Sequence, residues 1–283
     1  MALFNYMINK KYQNKTISEY LSSFHLGKEK IKKIKTYIND ELKPHDTILK
    51  PFDKLTIEND EALDIKPYQY KIDVAYEDEY LLIINKPAGF IIHDDGNNID
   101  TVANIVANYY QEKGLNIPVR YIHRLDKDTT GILIFAKDPL SMSKLSNELE
   151  SHEFKRDYLA LVKGNYNKTN IINLKIGKDR HINGKYRVSP TGKDAITYVS
   201  VLNTSKDYSL VRLSLKTGRT HQIRVHMSHL GHPLLGDIMY GGDNKFIKRC
   251  ALHSYYVEFT HPITSKKISL SIPLPPDMDK LVK

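Results

Sequence analysis

Cysteine is nearly absent from this chain: Cys250 stands alone among 283 residues. No intrachain disulfide can form, and a reducing compartment is the expected setting. Long hydrophobic runs are missing as well. The longest, GILIFA and YLLII, fall far short of the ~20 residues that a membrane-spanning helix needs. The opening stretch MALFNYMINKKYQNK holds neither a hydrophobic segment of leader length nor a basic stretch ahead of one, so no leader is expected. These gaps predict a soluble, cytoplasmic protein with no membrane attachment. No internal repeat divides the chain.

What is present is an ordinary globular composition with a basic bias. Hydrophobic residues make up 41% and aromatics 10%, enough to build a core for one large domain or for a small and a medium one. Lys and Arg number 42 against 33 acids, a formal net charge of +9, which favours a polyanionic partner and nucleic acid before membrane.

The texture changes along the chain. In TISEYLSSFHLGKEKIKKIKTYI, apolar residues fall at Ile17, Tyr20, Leu21, Phe24, then Ile31, Ile34 and Ile38. That spacing predicts two short amphipathic helices broken near Gly27, the first opened by a Thr16/Glu19 capping box. TILKPFDKLTIEND reads as a strand pair around a proline turn. Lysines 28, 30, 32, 33 and 35 crowd the second helix, either as a solvated face or as a phosphate-binding one.

From Pro67 onward strands dominate: IDVAYEDEYLLIINKPAGFIIH, GILIFAK, YLALVKG, AITYVSVL, YSLVRLSLKTG and KKISLSIPLP. TVANIVANYYQEKG and SMSKLSNELESHEF read as helices, the first ending at Gly114. Turn-length loops between strands favour a mainly antiparallel α+β sheet over a doubly wound parallel one. The boundary is placed between residues 1–66 and 67–283.

Three segments concentrate reactive side chains. In YIHRLDKDTTGILIFAK, Asp126 is delivered by a short loop to the edge of a hydrophobic strand, where a charged carboxylate needs a cationic partner. Arg124, or an Arg from elsewhere, is the candidate partner; a structural Arg–Asp turn is the plainer alternative. In KTGRTHQIRVHMSHLGHPLLGD, Thr220 is the expected N-cap of a helix carrying Ile223, Met227 and Leu230 and stopped by Gly231. Arg219 and Arg224 flank that helix start and suit an anion. His221, His226, His229 and His232 match no familiar zinc spacing, so no metal is expected. In FKRDYLALVKG, Tyr158 follows a basic pair at the start of a strand, as a core residue or as a ring stacked on a base.

HRLDKDTTGILIFAK, KRDYLALVKG, KTGRTHQIRVHMSHLGHPLLGDIMYGG and ALHSYYVEFTHPITSKKISLSIPLP together resemble, in order and spacing, the RluA-type RNA pseudouridine synthases. The resemblance covers about residues 70 to 278, and INKPAGFIIH fits it too. Thr130 stands where Ser is commoner, which keeps the hydroxyl. The first part is similar to the small alpha-L RNA-binding domain that often precedes this catalytic domain, but YINDELKPHD lacks the Val-Asn-Gly signature of its hairpin.

The resemblance implies a pseudouridine synthase fold and a cofactor-free isomerase acting on RNA as a monomer. Ribosomal RNA is the first expectation and tRNA the second; the rival is a catalytically silent RNA-binding or assembly factor on the same fold. Asp126 becomes the nucleophile, attacking ribose C1′ or uracil C6 or assisting deprotonation at the sugar. Arg224 becomes its cationic partner, Tyr158 the ring under the base, and Arg124 the residue filling the place of the extruded nucleotide. Arg219, His221, Lys32 and Lys33 are the expected RNA contacts.

Overall fold

The computed structural model describes residues 2–59, 65–93 and 100–283. Its centre is a ten-stranded mixed sheet. Eight strands run across it in the order Asn170–Asn173, Ile196–Thr204, Tyr208–Leu215, Lys155–Lys163, Leu252–Thr260, Thr130–Ala136, Leu81–Lys86 and Asp73–Glu77. Lys267–Ser271 and Arg120–Tyr121 attach beside it. Only the pairing of Leu252–Thr260 with Thr130–Ala136 is parallel among the described strands, so the sheet is α+β and mainly antiparallel, as the short loops predict.

The GILIFA run is continuous because its strand is covered on both faces. Leu133 and Phe135 join one core with Val102, Val106 and Tyr110 of the Val102–Glu112 helix and Ile223 and Met227 of the Gln222–His229 helix. Ile132, Ile134 and Ala136 face the other way, onto Leu145 and Met142 of the Pro139–Glu150 helix. Alternating side chains thus meet apolar surface whichever way they point, which removes the polar half of the usual antiparallel pattern. Leu81–Lys86 is built likewise, with Leu82 and Ile84 on the first face and Leu81 and Ile83 on the second. Among the described residues no helix is long and apolar enough to cross a membrane.

The first part of the chain forms its own four-stranded sheet, ordered Ala2–Met7, Lys54–Asn59, Lys35–Ile38, Glu41–Lys43. It backs onto helices Ile17–Ser22 and Lys28–Lys33, and the Thr16/Glu19 capping box is present. Two expectations fail here. The second helix stops at Lys33, and Ile38 lies on a strand, because the β-branched run after it pairs with Lys54–Asn59. TILKPFDKLTIEND holds one strand rather than two: Ile48 makes a single bridge to Thr16, and Lys54–Asn59 takes its neighbours from Ala2–Met7 and Lys35–Ile38. Asp60 of that stretch lies outside the described residues. The hairpin of Lys35–Ile38 and Glu41–Lys43 forms without a glycine, since Asn39 and Asp40 take φ of 50° and 70° and so supply the left-handed pair that a tight hairpin needs.

This small unit is docked on the large one. The Tyr6 hydroxyl donates to Asp138 Oδ1 at 2.5 Å, and the same carboxylate caps the Pro139–Glu150 helix through the N–H groups of Leu140 and Ser141. Leu140 is buried in the small unit's core, and Tyr80 stacks on Tyr6.

Candidate active site

The loop carrying Asp126 is held from below by cations. Arg120–Tyr121 pairs with the end of Thr130–Ala136, and the intervening chain closes with the Thr129 N–H on the Asp126 carbonyl at 3.1 Å. Lys86 is 1% exposed and donates all three ammonium hydrogens to backbone, at 2.9 Å to Pro87, 2.9 Å to Lys127 and 3.0 Å to Thr129. Burial pulls its pKa down to about 7, opposed by the fields of Asp128 and Asp126. Arg249 donates to the Asp128 carbonyl at 3.1 Å and is itself gripped through two nitrogens by Asp277. The carbonyls of residues 127, 128 and 129 are thus all fixed. At the strand entrance, Gly131 has φ +105°, and a Cβ there would stand 2.1 Å from the Ser254 carbonyl oxygen. Any larger residue would push the loop off the sheet.

The second half of the site comes from the helix Gln222–His229. Its N-cap is His221, at φ 56° and with no capping bond from its side chain, not Thr220 as expected. Gln222, the first helical residue, ties the preceding turn down: its Oε1 accepts from the Arg219 N–H at 3.0 Å and from the Thr217 hydroxyl at 2.9 Å. His221 is thereby turned toward the loop. Gly231, at φ +80°, follows the Leu230 C-cap, so the stop stands where expected.

Arg224 joins the halves. Its Nη1 donates to Asp126 Oδ2 at 2.9 Å, while Nε and Nη2 fork onto Asp237 at 2.7 and 2.8 Å. Its guanidinium lies 4.8 Å from the Tyr240 ring centre. Burial disfavours its charge, but the bonds to Asp237 and the fields of Asp237 and Asp126 outweigh that and hold its pKa above the ordinary range. The cation is therefore permanent. Two carboxylates share it, and only Asp126 keeps an open side: 29% of its side chain is exposed against 1% for Asp237.

His221 approaches the same oxygen, with Nε2 at 3.7 Å. Its Nδ1 lies 2.8 Å from the Tyr240 hydroxyl, which accepts the Tyr186 N–H at 2.9 Å. With that hydroxyl donating to Nδ1, the neutral ring carries its hydrogen on Nε2, facing Asp126. Burial lowers the His221 pKa, against the pull of Asp126, so Arg224 supplies the counter-charge.

These groups open into a cleft of about 800 Å³ whose lining includes Asp126, Arg124, Tyr158, Arg219, His221 and Arg224. All six belong to the expected site or to its expected RNA contacts; Tyr158 is 5% exposed, and burial pushes its hydroxyl pKa up. Arg124 is exposed and makes no side-chain hydrogen bond or ion pair among the described residues. Arg219 donates through Nε to the Asp194 carbonyl. Lys32 and Lys33 do not line the cleft; they sit on the small unit's Lys28–Lys33 helix, where Lys32 pairs with Glu29.

The four histidines part company. His226 is held by Thr197 and the Leu174 carbonyl, and His232 by the Lys163 carbonyl. Among the described residues no three His, Cys, Asp or Glu side chains gather as a ligand set.

Lys86, Asp237, Tyr240, Arg249 and Arg156 escape the reading of the sequence. Lys86 left a trace, since a lysine ending the run LLIINK must bury its charge or turn it out. Asp237 left none, because nothing local says which arginine it grips.

The chain is similar to known proteins of one family. A family model described as RNA pseudouridylate synthase matches residues 80–229. The chain is 43% identical over 253 residues to a Bacillus subtilis (strain 168) protein named "Uncharacterized RNA pseudouridine synthase YhcT", covering 87% of this chain and 83% of that one. It is 34% identical over 245 residues to ribosomal large subunit pseudouridine synthase D of Pasteurella multocida, covering 81% and 76%. Among solved structures, Human RNA Pseudouridylate Synthase Domain Containing 1 superposes with a TM-score of 0.61 over 77% of this chain and 96% of that one, at 24% identity, a likeness of fold. Motif order, cleft and relatives converge: the chain belongs to the RNA pseudouridine synthase family, as an RluA-type isomerase acting on RNA.

Proposed function

We propose that the protein isomerises uridines of ribosomal RNA, with Asp126 as the nucleophile. The observation that carries this is the pairing of Asp126 with Arg224 at 2.9 Å, on the wall of a cleft large enough for a flipped nucleotide. Relatives named ribosomal large subunit pseudouridine synthase D support ribosomal RNA over tRNA.

In the reaction the N1–C1′ bond breaks, the uracil turns, a C5–C1′ bond forms, the C5 proton leaves and N1 gains one. No electron is gained or lost overall, so the chemistry asks for a nucleophile and a base. Ribose C1′ and uracil C6 are both electrophilic, and either route uses the same ionised Asp126 oxygen. Arg224 keeps that oxygen ionised and aimed. Tyr158 lies against the base and is the candidate to take the C5 proton. Arg124, exposed and unengaged, fills the helix space that the flipped uridine leaves. Arg219 and His221 contact the RNA around it.

Residues 1–66 act as an RNA-binding unit, through Lys32 and Lys33, ahead of the catalytic domain 67–283. The protein works as a cytoplasmic monomer. The test is a single-turnover assay on a large-subunit ribosomal RNA transcript, with pseudouridines mapped on the product. Conversion by the wild-type chain and none by Asp126→Asn is expected; conversion by both would refute the assignment of Asp126, and conversion by neither would refute the substrate.

A further inference from the structure

Among the described residues Arg156 has no hydrogen-bond or ion-pair partner. It is 8% exposed, its Nε is buried without an acceptor, and no described residue gives its guanidinium a hydrogen bond or an ion pair. A buried guanidinium is costly unless an anion meets it, and Arg224 on the same wall, although slightly more exposed, has two.

Its position says what is missing. Arg156 lines the cleft of Asp126 and also an adjoining cavity of about 360 Å³, bordered by Tyr198 and Lys216. Gly218 lies against the guanidinium: a Cβ there would stand 3.1 Å from Nη1 and 3.3 Å from Nη2. Gly218 is not in the left-handed region, so a larger residue there would be felt through the guanidinium, which would have to shift by a few tenths of an ångström. Beside it stands His123, 5% exposed, a ring that feels the guanidinium's field and offers it no carboxylate. In the second cavity Tyr198 is 39% exposed, a large ring left in solvent next to a lysine.

We propose that Arg156 is the seat of an RNA backbone phosphate next to the flipped uridine, with the neighbouring nucleotide lying in the adjoining cavity against Tyr198. This rests on the reading of the cleft as the uridine site. The guanidinium presents a planar fork that matches phosphate oxygens, and desolvation makes the pairing strong. Lys216 adds a second positive charge at the mouth, and an aromatic ring accepts any base by stacking. The subsite thus fixes the strand's path without reading sequence.

Two measurements on the full chain test this. In the first, thermal unfolding is followed in inorganic phosphate and in chloride at equal ionic strength. General exclusion of phosphate from protein surface acts on all variants alike, so the readout is the difference between them. Wild type should gain more from phosphate than Arg156→Met and Arg156→Gln, with Arg156→Lys between. In the second, binding of the ribosomal RNA transcript is titrated against salt. The Met and Gln variants should bind about tenfold more weakly and lose about 0.7–0.9 from the slope of log affinity on log salt, the loss of one phosphate contact. Their single-turnover rate at saturating RNA should change much less than their affinity. Tyr198→Ala should weaken binding and leave the salt slope alone.

Equal phosphate responses together with an unchanged salt slope in Arg156→Met and Arg156→Gln would overturn the proposal. If the wild type neither binds nor modifies that transcript, the choice of RNA has failed, and the phosphate measurement still decides for Arg156.

Discussion

Two arginines share one cleft, Arg156 buried and Arg224 with 12% of its side chain exposed, and the chain treats them oppositely. Arg224 is saturated, with Asp237 on one side of its fork and Asp126 on the other. Arg156, lining the same cleft, receives nothing. A cation neutralised from within serves to hold something else in place, here the carboxylate of Asp126. A cation left unneutralised at similar burial is stored binding energy for an anion that arrives later. Burial alone does not distinguish the two; the partner list does.

The largest effect should come from the anion that Arg224 holds. Asp126→Asn keeps shape and an acceptor but removes the charge, so single-turnover isomerisation should fall by more than about a hundredfold, or ~2.7 kcal/mol of barrier. Stability measured by urea unfolding should change little. A variant retaining more than a hundredth of the rate would return Asp126 to the role of a structural turn residue.

Arg224→Met breaks the comparison from the other side. It strands Asp126 and the 1%-exposed side chain of Asp237 without their cation, and urea unfolding should report a loss of about 3–5 kcal/mol along with activity. Arg156→Met, by contrast, removes an unpaired charge and should leave stability level or raised. Destabilisation of equal size in the two variants would mean that Arg156 has an internal partner after all.

pH sharpens the contrast. Burial, and then the field of Arg156, lowers the His123 pKa to about 3, and burial lowers that of His253 to about 4. Both rings are neutral in the folded state and take up protons near pH 6.5 when unfolded. Their contribution to stability is therefore complete above about 6.5 and is lost as pH falls toward 4. Each should add a slope of up to about 1.4 kcal/mol per pH unit in that window. Urea midpoints from pH 7 to 4.5 check this, and His253→Asn should flatten the curve.

The smallest effect is expected at the far end of the molecule. Lys32 and Lys33 are on an exposed helix, with Lys32 already occupied by Glu29. The double change to Gln should lower the salt slope of RNA binding by less than about 1.8, the limit for two phosphate contacts. No change at all would make them a solvated face.

Much of this site was legible before folding. Asp126, Tyr158 and Arg224 stand out because reactive side chains next to strongly apolar strands need a reason, and the motif order gives one. The rest was not legible, because its partners are distant in sequence. Arg224 and Asp126 are 98 residues apart and Arg249 and Asp128 are 121 apart, and no local pattern encodes such pairings. The mistaken N-cap at Thr220 has the same origin: Gln222 ties its side chain back to the Arg219 N–H and the Thr217 hydroxyl, and the helix starts one residue later than the motif suggests.

By itself, then, the sequence determined that the second part of the chain is mainly strands, that GILIFA is buried, and which family the motifs belong to. Periodicity and residue chemistry are properties of short stretches, and they survive being read without coordinates. Only the tertiary structure decided that Asp237 rather than Arg124 completes the Asp126–Arg224 cluster, and that Lys86 and Arg249 clamp the loop carrying Asp126. It also decided that, among the described residues, Arg156 is left without a hydrogen-bond or ion-pair partner. Whether a charge is satisfied depends on what the fold brings within 3 Å of it, and that distance is set by packing across the whole sheet.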